Sequence, residues 1–184
     1  MEAGQPSTQG QEPPGGWHTA PASAYPSEAY AVKRGMGRVW GFSVLTLGLY
    51  GFWWFYVHRK LVDGELGHGR DDATLHTVGL FVPILNYFVL YWLWRDISAL
   101  RVRVGLPDFP AGAYVAGAIF LAPVLYSMVL VKLNEYWDVR TQGLATEAPV
   151  TTGEKVVVGI GAVFFVLWVL LIVVAIIIAI VAGA

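Results

Sequence analysis

Apolar and polar residues are segregated along this chain in long blocks. Val39–Val57 is a nineteen-residue run with no charge, and eight of its residues are aromatic. Leu75–Trp94, Ala111–Val131 and Val156–Ala182 repeat the theme. At about 1.5 Å per residue, a helix of roughly 20 residues matches the ~30 Å hydrocarbon core of a bilayer. The pattern therefore predicts an all-α membrane protein, a four-helix transmembrane bundle. Trp40 marks one interface of the first run, and Trp53, Trp54 and Tyr56 mark the other, where amphipathic rings prefer to sit.

Local signals place the ends of these elements. Asp71, Asp72 and Thr74 are N-cap types just before the second run. That run contains Pro83 and Asn86 and closes on Tyr87, Tyr91, Trp92 and Trp94. Its helix is expected to continue through Arg95–Val104 and to stop at Gly105 and Pro107. Asp108 and Pro110 restart a helix, with proline suited to its first turn. The third run also extends past the membrane, with Leu133, Tyr136 and Trp137 on one face and Asn134, Glu135 and Asp138 on the other. Gly143 is a C-cap candidate, and Thr146–Pro149 breaks the chain. Thr151-x-x-Glu154 is a capping box opening the last helix. Val156–Ala182, at about 40 Å, exceeds the core and must tilt or protrude.

Residues 1–34 read as a disordered Pro/Gly-rich tail, 35–144 as a three-span membrane domain and 145–184 as a linker with the fourth span. The tail carries five of the ten prolines and cannot bury enough apolar area to offset its ordering entropy. Trp17, Tyr25 and Tyr30 within it are linker residues or a docking peptide. Met1–Tyr30 has three glutamates, no Lys or Arg and no apolar core, so no signal peptide is expected there.

Charged residues make up only 14% of the 184, against about 25% in an average soluble protein. A net charge of −1 supplies no basic field for nucleic acid. With no cysteine, disulfides, thiolate metal sites and cysteine nucleophiles are excluded. Lys33, Arg34 and Arg38 precede the first run and suit an anionic cytoplasmic leaflet. With four spans, however, six basic residues fall on each side and the positive-inside rule ties. The weight of the first span and the acids of the first and third loops favour a cytoplasmic N-terminus in the cell membrane.

Small residues mark candidate helix-packing faces, because close backbone approach rather than hydrophobicity drives association in lipid. Gly41, Gly48 and Gly51 form one such set in the first run. Ala175, Ala179 and Gly183 form another in the last. No span interior carries an Asp, Glu, Lys or Arg, which removes the usual signature of a pump or an intramembrane enzyme. Asn86 is the candidate polar site at depth, with Ser43, Thr46, Tyr126 and Ser127 behind it. Pro83-Ile-Leu-x-x-Phe-Val-Leu90 is echoed at Pro123-Val-Leu-x-x-Met-Val-Leu130. If consecutive spans alternate in direction, that repeat is an inverted pair, as in transporters. His58, His68 and His76 belong to the first hairpin near Asp71 and Asp72, but their spacing fits no metal motif. Gly64, Gly67 and Gly69 lack the spacing and following lysine of a phosphate loop. No catalytic residue, metal or cofactor is assigned.

Thr46-Leu47-Gly48-Leu49-Tyr50-Gly51-Phe52-Trp53-Trp54 resembles the opening motif of a bacterial membrane family, the domain of unknown function (DUF) 4234 family. Leu133-Asn134-Glu135-Tyr136-Trp137 is similar to its later Leu-Asn-x-x-Trp element. The resemblance covers about Arg34–Gly143, and His58–Leu61 departs from the Asn-containing helix end of that pattern. It implies a membrane location and an order of spans, with no activity attached; the fourth run stands outside it, and the tail resembles those of actinobacterial membrane proteins.

These features predict a non-enzymatic multi-pass membrane protein, a scaffold or accessory subunit. It would act through helix packing in the lipid bilayer, as a homo-oligomer or with a membrane-protein partner. The alternative is a small transporter or channel subunit with a path near Pro83, Asn86 and Pro123.

Overall fold

The computed structural model describes residues 30–67 and 72–183. The tail before Tyr30 and the loop residues His68, Arg70 and Asp71 lie outside the described residues. The protein is mostly helical. A short strand β1 (Ala31–Lys33) leads into α1 (Met36–Leu45), α2 (Leu49–Leu66), α3 (Ala73–Gly79), α4 (Pro83–Arg103) and α5 (Ala111–Arg140). Strand β2 (Thr146–Glu147) and helix α6 (Thr152–Gly183) follow. Ala31–Lys33, read from the sequence as the end of the tail, pairs in parallel with β2.

Among the described residues two helices, α5 and α6, are long and apolar enough to cross a membrane, instead of the four expected. The first run, Val39–Val57, is broken in its middle. Leu47 (φ 51°) and Gly48 (φ 90°) are left-handed, a region that ends helices and that glycine enters without steric cost. Thr46 fixes the break: its hydroxyl donates to Phe42 O (2.7 Å) and accepts the Tyr50 N–H (2.8 Å). The second run, Leu75–Trp94, breaks at 80–82, where Pro83 opens α4 as its first residue and forfeits no helical N–H.

Helix α5 is itself folded over. Leu121 has non-helical angles (φ −126°, ψ 35°), two residues before Pro123, which cannot hydrogen-bond to the preceding turn. In a straight helix Phe109 and Lys132 would stand ~34 Å apart along the axis. Instead the Lys132 Nζ lies 5.6 Å from the Phe109 ring. Trp94 meets Tyr114 and Tyr126 at 6.5 and 5.3 Å between ring centroids. Residues 111–120 and 122–140 are thus two antiparallel arms.

Three helical hairpins result. Lys33 pairs with Asp138 (2.9 Å), the Trp40 indole N–H donates to Ser127 Oγ (2.9 Å), and α1 therefore runs antiparallel to the second arm of α5. Helix α2 returns beside that arm, from Trp54 near Tyr126 to Glu65, which accepts hydrogen bonds from Tyr136 (2.7 Å) and Arg140 (3.0 Å). The chain enters and leaves this hairpin at the same level. Helices α3 and α4 do likewise, with His76 beside Trp92 and Gly79 beside Val89. The core between them includes Tyr50, Phe55, Leu93, Trp94, Ile97 and Leu133, all almost fully buried.

The tips of the hairpins carry exposed apolar side chains, among them Leu47, Phe81, Ile84, Phe120, Leu121 and Val124. Helix α6 descends beside the first hairpin until Gly161 meets Thr46 at its tip. A Cβ on Gly161 would lie 2.7 Å from the Thr46 Cα, so only glycine permits this approach. Beyond Gly161, residues 162–183 have no buried member.

Candidate functional site

Two layers of polar chemistry follow from the hairpin arrangement. At the ends opposite the tips lies an ionic layer. Arg59 on α2 bonds Asp63 one turn on and reaches Asp96 on α4 (2.7 Å). Arg101 on α4 donates to Lys132 O (2.6 Å), Glu135 (2.8 Å) and Pro107 O (3.1 Å), tying α4 to α5 and to the loop between them. All three of Arg59, Asp63 and Asp96 are buried, so each charge is held by its partners rather than by water.

A second cluster joins α6 to the first hairpin. Glu154 is fully buried, paired with Arg38 and accepting the Tyr50 hydroxyl proton at 2.6 Å. Half of the expected capping box forms, since the Glu154 N–H donates to Thr151 Oγ1 (3.2 Å). The glutamate side chain goes to Arg38 and Tyr50 instead of back to its own helix, because two donors from α1 and α2 converge there. Arg34 is also buried, and its Nε and Nη1 have no hydrogen-bond partner among the described residues. His58 lies fully buried against Trp54, its Nδ1 2.7 Å from Trp54 O. Burial, reinforced by the Arg34 charge, pushes its pKa down to about 3, so its ring is neutral.

The other layer is a cavity of about 320 Å³ where the three tips meet. All three hairpins line it: Trp40, Gly48 and Trp54 from the first, Leu80 and Asn86 from the second, Pro123 and Tyr126 from α5. Its lining holds no Asp, Glu, Lys, Arg or His. Two lining residues carry buried polar atoms without a partner among the described residues, Asn86 Oδ1 and Trp54 Nε1.

The residues singled out in the sequence fall in different places. Asn86 and Pro123 share the cavity, joined by Ser43, Tyr126 and Ser127, while Pro83 lies outside its lining. Pro83 and Pro123 occupy equivalent positions, each at the start of a returning helix. Their repeat is therefore parallel, not inverted, because α5 folds over where a span was expected to continue. Gly41, Gly48 and Gly51 face open space, where an added Cβ would meet nothing within 4 Å. So does Gly183, and Ala175 and Ala179 are exposed. Close approach inside the chain instead uses Gly161 against Thr46 and Gly153 against Trp53. Trp54, read as an interface marker, is 3% exposed and belongs to the core. His58 and His76 each lie beside a tryptophan.

Sequence reasoning missed the Arg59–Asp96 and Arg38–Glu154 pairs. Arg59 and Asp63 at i, i+4 were a legible local signal; the cross-helix partners were not. Comparison with family models, with curated proteins and with solved structures finds no match for this chain. The resemblance at Thr46–Trp54 therefore rests on those residues themselves.

Proposed function

We propose that this is a non-enzymatic integral membrane protein, a scaffold or accessory subunit seated asymmetrically in the bilayer. Its three hairpins dip into one leaflet and return, and α6 alone crosses. The observation that carries this reading is the convergence of the three tips: Gly48, Leu80 and Pro123 line one cavity with exposed apolar side chains next to them, while the Arg59–Asp96 and Arg101–Glu135 pairs lie toward the other ends of the helices. Such a body suits the interface, where amphipathic helices bury ~5–10 Å into the headgroup–acyl boundary. Past Gly161, α6 runs from 162 to 183, 22 residues or ~33 Å, enough for a ~30 Å core.

Charge supports the same seating. All twelve Lys and Arg residues precede Val156. If only α6 crosses, the count of basic residues is twelve on the hairpin side and none beyond it, and the tie of the four-span layout disappears. The positive-inside rule then favours hairpins and N-terminal tail in the cytoplasm, with the end of α6 outside. The bare length of α6, with Ala175, Ala179 and Gly183 at helical spacing, offers a contact for a second copy or for a membrane-protein partner.

Single cysteines test the topology, since the chain has none of its own. Lys60→Cys, Asp108→Cys, Leu144→Cys and Gly183→Cys are each probed with a membrane-impermeant maleimide from either face. The asymmetric seating predicts that the first three label from the cytoplasmic face and Gly183→Cys from the opposite one. Labelling of Lys60→Cys and Leu144→Cys on one face, with Asp108→Cys and Gly183→Cys on the other, would restore four spans.

A further inference from the structure

The cavity at the hairpin tips is the feature that the anchoring role leaves without a use. Its size, about 320 Å³, is at the low end of the ~300–1,000 Å³ range for small-molecule sites. Residues next to the lining in sequence are apolar and exposed, among them Leu49, Phe81 and Val124. Whatever enters from that side is itself apolar, and no lining residue offers it an opposite charge. Yet two buried polar atoms in the lining are left over. Trp54 Nε1 can only donate and Asn86 Oδ1 can only accept. Ser43 and Ser127 are already engaged: Ser43 donates to Val39 O (2.7 Å), and Ser127 accepts from Trp40 and donates to Pro123 O (2.8 Å); the Tyr126 hydroxyl is a further polar group in the lining.

An alkyl chain alone would leave both atoms unpaired, and an ester or ketone would satisfy only the indole. A hydroxyl can do both, since it accepts through oxygen and donates through hydrogen. We infer that the cavity binds one long-chain lipid bearing a free hydroxyl, of the fatty-alcohol or acylglycerol type, taken up laterally from the leaflet into which the tips dip. Gly51 supports this reading. It lines the cavity on α2 with the Cβ direction open for 4 Å, so the absence of a side chain there leaves room that none of the described residues fills. The inference leans on the asymmetric seating only for the route of entry, so binding is measured without a bilayer.

The full chain in detergent is titrated with hexadecan-1-ol, methyl palmitate or hexadecane and read by native mass spectrometry. The expected result is a saturable one-to-one complex with the alcohol, about tenfold tighter than with the ester, the cost of one unpaired buried group. Gly51→Leu fills the space and loses all three ligands. Trp54→Phe weakens the alcohol and the ester alike. Asn86→Leu weakens the alcohol alone, by about tenfold. Equal binding of alcohol and ester, Gly51→Leu binding like the parent, or adducts that grow without saturation would each overturn the assignment. Thermal unfolding of every variant, followed by tryptophan fluorescence, separates lost binding from lost fold. A cysteine-labelling pattern that refutes the seating leaves this result standing, and the reverse also holds.

Discussion

Helix α6 contains two regions that obey different rules. Its first ten residues, Thr152–Gly161, pack on α1 and α2 and contain both of its buried residues, Glu154 and Gly161. The remaining 22 residues are more uniformly apolar, and none of them is buried among the described residues. High hydropathy therefore does not mark the part of this helix that the protein itself buries. What marks it is irregularity: a charge with two partners waiting, and glycines where a neighbouring side chain or backbone comes close. A run of Val, Ile and Leu with no such irregularity is suited to lipid, which asks for apolar surface and no particular shape.

The largest test of this contrast is Glu154→Leu. It makes the first region as apolar as the second, which a purely hydropathic account would welcome. Here it removes the carboxylate between Arg38 and the Tyr50 hydroxyl and leaves Arg38 with only the exposed Glu147, 3.8 Å away, as its acid. Breaking a buried pair from one side costs about 3–5 kcal/mol. Thermal unfolding followed by tryptophan fluorescence should register a large fall for Glu154→Leu and a smaller one for Glu154→Gln, which still accepts from Tyr50. An unchanged midpoint for Glu154→Leu would mean that the cluster contributes nothing to seating α6.

Next in size is Gly161→Leu, in which the new side chain has nowhere to go without moving the Thr46 backbone. Overpacking of this kind costs about 1–3 kcal/mol. Thr46 also holds the break between α1 and α2, so its displacement should loosen the first hairpin as well as α6. Loss of hydrogen-exchange protection at Phe42–Tyr50 in the variant is the expected signature; protection lost only within α6 would show that the two elements are not coupled.

The same contrast explains which parts of the fold were legible from the sequence. The helical content, the helix stop at Gly105 and the buried face of Leu133, Tyr136 and Trp137 follow from local chemistry, and the structure has them. The first and second apolar runs read as single spans because length and hydropathy cannot distinguish one rod from two short antiparallel arms; the third is long and apolar enough to cross a membrane, and its break at Leu121 is equally hidden from hydropathy. The breaking signals were present as Leu47-Gly48, Pro83 and Pro123. A proline or glycine inside a membrane helix is often only a kink, however, and nothing local tells a kink from a reversal. In this protein the reversals are made by partners distant in sequence: Asn134 and Ser127 receive α1, Glu65 receives Arg140, and Asp96 receives Arg59. The cavity was half legible, because Asn86 and Pro123 stood out. Trp54 reads as an interface residue from the sequence, since its place in the core depends on which way α2 faces once the first run has turned back.

The smallest expected effect bears on the partner. Ala179→Leu adds the same side chain as Gly161→Leu, on the same helix, at a position that is exposed among the described residues. Leucine and alanine are both strong helix formers, and the extra methyl groups would face lipid, so the unfolding midpoint of the isolated chain should move by no more than about 0.5 kcal/mol equivalent. If a second copy or a partner helix sits on Ala175, Ala179 and Gly183, leucine prevents the backbones from approaching and the assembly comes apart. Size-exclusion chromatography with light scattering of the parent and Ala179→Leu chains, in the same detergent, reads this directly. A smaller particle for the variant at an unchanged midpoint would assign the bare half of α6 to a protein partner. An identical particle would leave that half facing lipid alone, and α6 would then serve as an anchor and not as a contact.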